Sequence, residues 1–392
     1  MSTVPPSRVA YTGARIFDGT SWYERSALVV AGDLVEGIIA SDSPTDARRV
    51  ALDGGILAPG FIDLQINGAG GAQFNLDPTV TSIETICATS ARFGVTGCLP
   101  TLITDTPDHT AAAIVAGVSA AKSRIPGFLG LHLEGPHLSV ARKGAHDPAL
   151  IRPMDETDLL ALIDARARLP NLLVTVAAET VGPQQIARLV EAGIIVSIGH
   201  SDAGYETVRR AAEAGASMVT HLFNAQSQLG NREPGVVGAA LDLAGLSAGL
   251  IADGIHVDAV SIGVALRAKR GPGRIVLVSD AMSVTGTDVA SFELTGRTVY
   301  RKDGALRLAD GTLAGADLTM IDAIGYIHRT LGLGLDETMR MASLYPADIL
   351  GDDKRGRIAP GCHADIVHIG DDLSVRGTLI GGNPVWSSTP AR

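Results

Sequence analysis

A chain of 392 residues that is 46% hydrophobic and 19% charged is long enough for one large α/β domain and a small companion, and too apolar to be a disordered polypeptide. Its 32 Lys and Arg against 42 Asp and Glu leave a net charge of −10 with no basic stripe, which excludes a nucleic-acid footprint. Aromatic residues are only 4%, so a core must come from Ala, Val, Ile and Leu, as in parallel sheets covered on both faces.

The N-terminal flank reads as short β segments, VAYTGARIF, SALVVAGDLVEGIIA and RVALDGGILAPG, none with helical periodicity. Eight continuous apolar runs follow, each with a polar residue at or near its C-terminal end: FIDLQIN, GVTGCLPT, FLGLHLEG, LLVTVAAE, IIVSIGH, MVTHLFN, LSAGLIAD and RIVLVSD. Continuous rather than alternating apolarity predicts buried parallel strands. The stretches VTSIETICATSARF, HTAAAIVAGVSAAKS and GPQQIARLVEAG between them read as helices, the last closing on a C-capping glycine. Eight strand–helix units predict a (β/α)₈ TIM barrel. The segment 291–312 predicts a hairpin inserted after the eighth strand, turning at Asp303-Gly304.

The C-terminal flank, GRIAPGCHADIVHIG and VRGTLIGG, returns to β character. Residues 1–58 plus 351–392 are therefore expected to pair into one small β-sandwich domain, with 59–350 as the barrel. Cys87, Cys98 and Cys362 share no C-x-x-C spacing, which indicates neither a disulfide framework nor a thiolate metal site and points to a reducing compartment. No apolar run reaches the ~18 residues of a membrane span and the first residues lack a secretory apolar stretch, so the expected location is the cytoplasm, without membrane partners.

Barrels of this kind react at the C-terminal ends of their strands. There Glu134, His200 and His221 end the third, fifth and sixth strands. One carboxylate and two imidazoles with an open fourth position form the ligand set of a catalytic zinc site. A lone histidine at a strand end is more often a hydrogen-bonded structural residue; three such ligands on one barrel face are not. Asp280 ends the eighth strand, where a carboxylate can take a proton from water and return it to a leaving amine; otherwise it would cap a following helix.

The segments APGFIDLQINGAGG, HLEGPHLS with KGAH, SIGHSDAGYE, THLFNAQSQLGNREPG, ADGIHVD, LVSDAMSVTG, GTLAGADLTMIDA and ASLYPADILG run in order from about residue 58 to 370. In them the chain resembles the N-acetylglucosamine-6-phosphate deacetylase family of the amidohydrolase superfamily. PGFID occurs across many amidohydrolases, whereas LEGP, THLFNA and REPG in this order are more specific. The resemblance implies a hydrolase that releases acetate from N-acetylglucosamine 6-phosphate, with metal ligands at Glu134, His200 and His221 and the general base, then acid, at Asp280. It implies that His146 of KGAH polarises the amide carbonyl. Ala145, Asn224, Ala225, Arg232, His256 and the Leu313-Ala314-Gly315 turn would bind the sugar phosphate, Arg232 through its bidentate guanidinium and His256 as a second donor to the phosphate. A homodimer is implied, with the phosphate site completed by a neighbouring subunit.

Gln65 and Asn67 stand where many amidohydrolases carry His-x-His for a second metal. Amides are weaker ligands than imidazole, so one divalent metal per subunit is expected: zinc, with iron(II) or cobalt as alternatives. The rival readings are another metal amidohydrolase, acting on a cyclic imide or an acyl amino acid, and a catalytically silent sugar-phosphate-binding barrel.

Overall fold

The computed structural model describes residues 7–388. Residues 1–6 and 389–392, assigned above to the small domain, lie outside the described residues.

Eight parallel strands form one sheet in chain order: β1 (Phe61–Ile66), β2 (Val95–Ile103), β3 (Leu131–Glu134), β4 (Leu172–Val176), β5 (Ile195–Ile198), β6 (Met218–Val219), β7 (Ser247–Leu250) and β8 (Ile275–Leu277). Each pairs with the next, and the ring closes just beyond β8. There Asp280 N–H donates to Gln65 C=O at 2.9 Å and Asn67 N–H to Ala281 C=O at 2.8 Å. Buried Asp63 on β1 reinforces that closure by accepting from the Ser279 hydroxyl and backbone N–H. This is the TIM barrel that the apolar runs predict.

The helices begin where side chains satisfy their free backbone donors. Thr79 caps Val80–Ala91, Thr106 caps Pro107–Ser123 with proline in the first turn, and Asp155 forms a capping box with Asp158 on Glu156–Arg168. The long helices wrap the barrel and bury Ile83, Ala113 and Leu159 against its outer face.

Inside the barrel, His132 Nε2 meets Thr175 Oγ1 at 2.8 Å, Thr175 meets Thr220 at 2.7 Å, and Thr220 meets Ser197 at 2.6 Å. Thr175 on β4 reaches Thr220 past the end of β6 although β5 lies between them, so this polar layer crosses the interior. It forms a floor beneath Glu134, which shares a strand face with His132.

The two flanks combine. A six-stranded sheet runs in the order 383–387, 375–380, 366–369, 56–59, 15–17, 22–23, interleaving both ends of the chain. A four-stranded sheet, 34–40, 26–31, 8–12, 48–51, lies against it, and Ile16, Leu57 and Ile366 of the first meet Leu28, Val30 and Val35 of the second in one apolar cluster.

The insertion after β8 differs from the single hairpin expected. It is a four-stranded antiparallel sheet of Ser291–Leu294, Arg297–Lys302, Ala305–Arg307 and Leu313–Ala316. A second two-residue turn at Thr295-Gly296, with φ of 47° and 74°, matches the one at Asp303-Gly304, with 53° and 74°. Thr-Gly is a weaker turn signal than Asp-Gly, because a β-branched residue resists positive φ. Leu294, Val299, Leu306 and Ala314 of this sheet pack on Ile103, Met282 and Val284 at the barrel mouth, which caps the C-terminal face.

Candidate metal centre and active site

Glu134, His200 and His221 converge at the mouth of the barrel. His200 Nε2 and His221 Nε2 each lie 3.0 Å from Glu134 Oε1, and 3.1 Å from one another. Three lone-pair atoms at the corners of such a triangle match one face of a tetrahedron around an ion held at ~2.0–2.1 Å, whose edges are ~3.3 Å. His200 Nδ1 meets the carbonyl oxygen of Arg142 at 2.8 Å, and a carbonyl only accepts, so the proton sits on Nδ1 and the Nε2 lone pair faces the other two ligands. His221 Nδ1 is buried without a partner among the described residues. The donor set fits a divalent metal, and among the described residues it is the group of His, Cys, Asp and Glu that could hold one.

Backbone strain concentrates here. Among the described residues, five of the ten non-glycine residues with positive φ are His200, His221, Phe223, Ala225 and Asp280. L-residues adopt that region at a cost, and such outliers gather where geometry serves a site.

Asp280 is nine-tenths buried, and no helix follows it, so its alternative role as a helix cap is not realised. Its Oδ1 accepts from Asn67 Nδ2 at 2.6 Å and from Gln65 Nε2 at 3.2 Å, and Gln65 Nε2 also reaches Glu134 Oε2 at 3.2 Å. The two amides that replace His-x-His thus act as donors: Gln65 bridges the two buried carboxylates and Asn67 holds Asp280. Burial, then repulsion from Glu134, pushes the Asp280 carboxyl up to about 6. Burial also acts to raise Glu134, but the two histidines set against its Oε1, His200 and His221, outweigh it and hold this group well below the usual carboxylate range.

His146 packs edge-on against His200, ring centroids 4.3 Å apart. Its Nδ1 receives the backbone N–H of Thr104 at 3.3 Å and lies 2.8 Å from the Thr104 hydroxyl. An amide N–H can only donate, so Nδ1 is unprotonated and the ring carries its hydrogen on Nε2. Burial, then the neighbouring His200, holds His146 well below the ordinary histidine range, so it stays a neutral donor.

These groups line a cavity of about 320 Å³ that also brings in Ala145, Asn224, Ala225, His256, Leu313, Ala314 and Gly315. Arg232 is the exception: it is exposed and is not among the cavity's lining residues. The cavity includes residues not singled out from the sequence, among them Arg142, Ile251, Met282, Leu294 and Thr312. Arg142, three residues before Ala145, pairs with Asp202 at 2.7 Å. The RKG cluster ahead of His146 is the signal that would have found it.

Comparison with known proteins places this geometry. The model of the amidohydrolase family matches residues 56–385. The chain belongs to the amidohydrolase family. This amidohydrolase is 40% identical to N-acetylgalactosamine-6-phosphate deacetylase of Shewanella sp. (strain ANA-3), over 97% of this chain and 96% of that protein. It is 34% identical to N-acetylglucosamine-6-phosphate deacetylase of Haemophilus influenzae, over 91% and 93%. Among solved structures, N-acetylglucosamine-6-phosphate deacetylase from Pasteurella multocida superposes with a TM-score of 0.92 at 38% identity, covering 96% of this chain and 99% of that one. The Mycobacterium smegmatis enzyme, in a mutant complex with N-acetyl-D-glucosamine-6-phosphate, superposes at 0.90 with 30% identity, over 97% and 100%. As a member of this family the chain is a metal-dependent hydrolase.

Proposed function

We propose that this amidohydrolase removes acetate from N-acetylglucosamine 6-phosphate to give glucosamine 6-phosphate. The observation that carries the reading is the Glu134–His200–His221 triangle set beside a proton-accepting Asp280 in a capped cavity of sugar size. Names of relatives covering nearly the whole chain support the substrate class.

Glu134, His200 and His221 would hold one divalent cation, zinc in this reading; when bound it polarises the amide carbonyl and acidifies water. Asp280, raised to about 6, is poised to accept the proton of the attacking water near neutral pH and to hand it to the departing sugar nitrogen. The Nε2–H of His146 donates to the carbonyl oxygen as charge develops there. Water adds to the acetyl carbon, the carbon–nitrogen bond breaks, acetate leaves, and the amine retains the proton from Asp280.

Ala145, Asn224, Ala225, His256 and the 313–315 turn orient the sugar, and Arg232 binds phosphate across the interface of a homodimer. Gln65 and Asn67, already committed as donors to the two carboxylates, support a single tightly held metal. The three free cysteines support a reducing, cytoplasmic setting.

A second reading differs at one carbon. The 40% identity to an N-acetylgalactosamine-6-phosphate deacetylase favours the C4 epimer as an alternative or additional substrate. Acetate release from the two phosphosugars and from unphosphorylated N-acetylglucosamine tests both. The expected order places a 6-phosphate ester far ahead of the free sugar; equal rates with and without phosphate would overturn the substrate assignment.

A further inference from the structure

Thr104 follows β2 directly and is buried, 1% exposed. Two of its groups aim at one atom: the backbone N–H lies 3.3 Å and the hydroxyl 2.8 Å from His146 Nδ1. The hydroxyl also lies 3.4 Å from the carbonyl oxygen of Glu134. The chain makes room for this approach at Gly135, whose φ is +90° and where a Cβ would come within 2.2 Å of Thr104 Oγ1.

Thr104 is itself held. Buried Asn75 accepts the Ile103 N–H at Oδ1 and donates from Nδ2 to the Ile103 carbonyl, both at 3.1 Å, and to Asp105 Oδ2 at 2.9 Å. One amide thus serves both backbone groups of Ile103, as a neighbouring strand would, and fixes the chain on either side of Thr104. His146 comes from the opposite direction, on a loop whose residues 141–145 are exposed or half-buried. Its ring is therefore pinned to the barrel at Nδ1, which leaves Nε2 as the nitrogen free to act in the cavity that His146 lines.

We propose that Thr104, held by Asn75, is a positioning residue that anchors the His146 ring at Nδ1, so that Nε2 meets the amide carbonyl in the orientation the reaction needs. A displacement of ~1 Å can cost ~10² in rate, so one buried anchoring hydroxyl is enough to matter. The kinetic consequence rests on the role given to His146 above; the anchoring of the ring does not.

The test uses the full-length zinc-loaded enzyme. Thr104→Val keeps the side-chain volume and the backbone N–H and removes the hydroxyl. It is expected to lower kcat about tenfold, with KM within about twofold and the zinc retained, and Thr104→Ser, which restores the hydroxyl, should return kcat to within about threefold of wild type. The deciding readout is a double-mutant cycle: in the His146→Gln background Thr104→Val should change kcat by less than about twofold, because the group it positions is gone. An equal loss in both backgrounds, unchanged kcat in Thr104→Val, or a loss of zinc overturns the proposal, the first and last by assigning the effect to packing or to Glu134. Thr104→Ala is read by the same criteria if valine does not fold beside Gly135. Crystal structures of the wild type and of Thr104→Val supply the second measurement: the wild-type ring should keep Nδ1 within hydrogen-bond distance of residue 104 and the variant ring should turn or shift, whereas an unmoved ring contradicts the anchoring. An enzyme that turns over no N-acetylhexosamine phosphate defeats the proposed function, while the two structures still decide what Thr104 does.

Discussion

Replacing Asp280 by Asn separates proton transfer from architecture. The side-chain oxygen of Asn can still accept from Asn67 Nδ2 and Gln65 Nε2, now at 2.6 and 3.2 Å, so both buried donors keep a partner. What is lost is the capacity to take up a proton. General base and acid assistance by one group contributes ~10²–10⁴ in rate, so kcat should fall about 10³-fold, or ~4 kcal/mol of barrier, with KM within threefold. Stability should move the other way. The ordinary Asp280 value of 3.8 is raised to about 6, so the native state binds the proton more tightly than the unfolded chain, and stability declines as pH rises through that window. At pH 8 the ionised group costs the metal-free protein up to about 3 kcal/mol, which Asn relieves. The assay is acetate release by metal-replete protein, with metal content measured on the same samples and thermal unfolding of the metal-free forms. A variant that retains its metal and turns over within tenfold of wild type would refute Asp280 as the proton acceptor.

Three further outcomes follow from the same geometry. His200→Ala removes one corner of the ligand triangle; equilibrium dialysis should show zinc falling from one equivalent to below a tenth, with activity at least 10³-fold lower, and unchanged stoichiometry would place the metal elsewhere. Arg232→Ala should raise KM for the phosphorylated substrate by ten- to a hundredfold, and mixed dimers of Arg232→Ala with Asp280→Asn should regain activity if the arginine serves a neighbouring site; no recovery would confine it to its own subunit. Buried Asp63, pushed by burial up to about 7, is protonated in the native state below that pH, so its contribution to stability is lost as pH climbs from 3.8 to 7. Between pH 5.5 and 8 the wild type should lose about 2 kcal/mol relative to Asp63→Asn, read from parallel urea titrations; parallel pH profiles would count against the buried, raised carboxyl.

Much of this site was legible before any coordinates because a parallel barrel converts strand order into geometry. HLEG, SIGH and THLFN each end a continuous apolar run, and the end of β3 and the residues just past β5 and β6 bring Glu134, His200 and His221 to one rim. Other parts depend on tertiary packing. Arg142, Met282, Leu294 and Thr312 reach the cavity from loops and from the inserted sheet, whose second turn at Thr295-Gly296 carries a weak local signal. Gln65 and Asn67 could be read as the loss of two imidazoles; that the Gln65 amide bridges Glu134 and Asp280 while Asn67 donates to Asp280 is a matter of side-chain direction. Arg232 suits a phosphate by its chemistry, yet the fold places it on the exposed surface outside the cavity lining, and a single chain's sequence does not say what a surface arginine faces. Likewise the pairing of Asp253 with His256 three residues later depends on a glycine turn, not on residue type alone.

The most direct measurement is acetate release from N-acetylglucosamine 6-phosphate, with its C4 epimer and the unphosphorylated sugar alongside, before chelation, after chelation and after return of one equivalent of zinc. The expected result is turnover that requires the phosphate, vanishes with the metal and returns with zinc. Turnover that survives complete removal of metal, or that ignores the phosphate, would contradict the assignment of Glu134, His200 and His221 as the centre of a phosphosugar deacetylase.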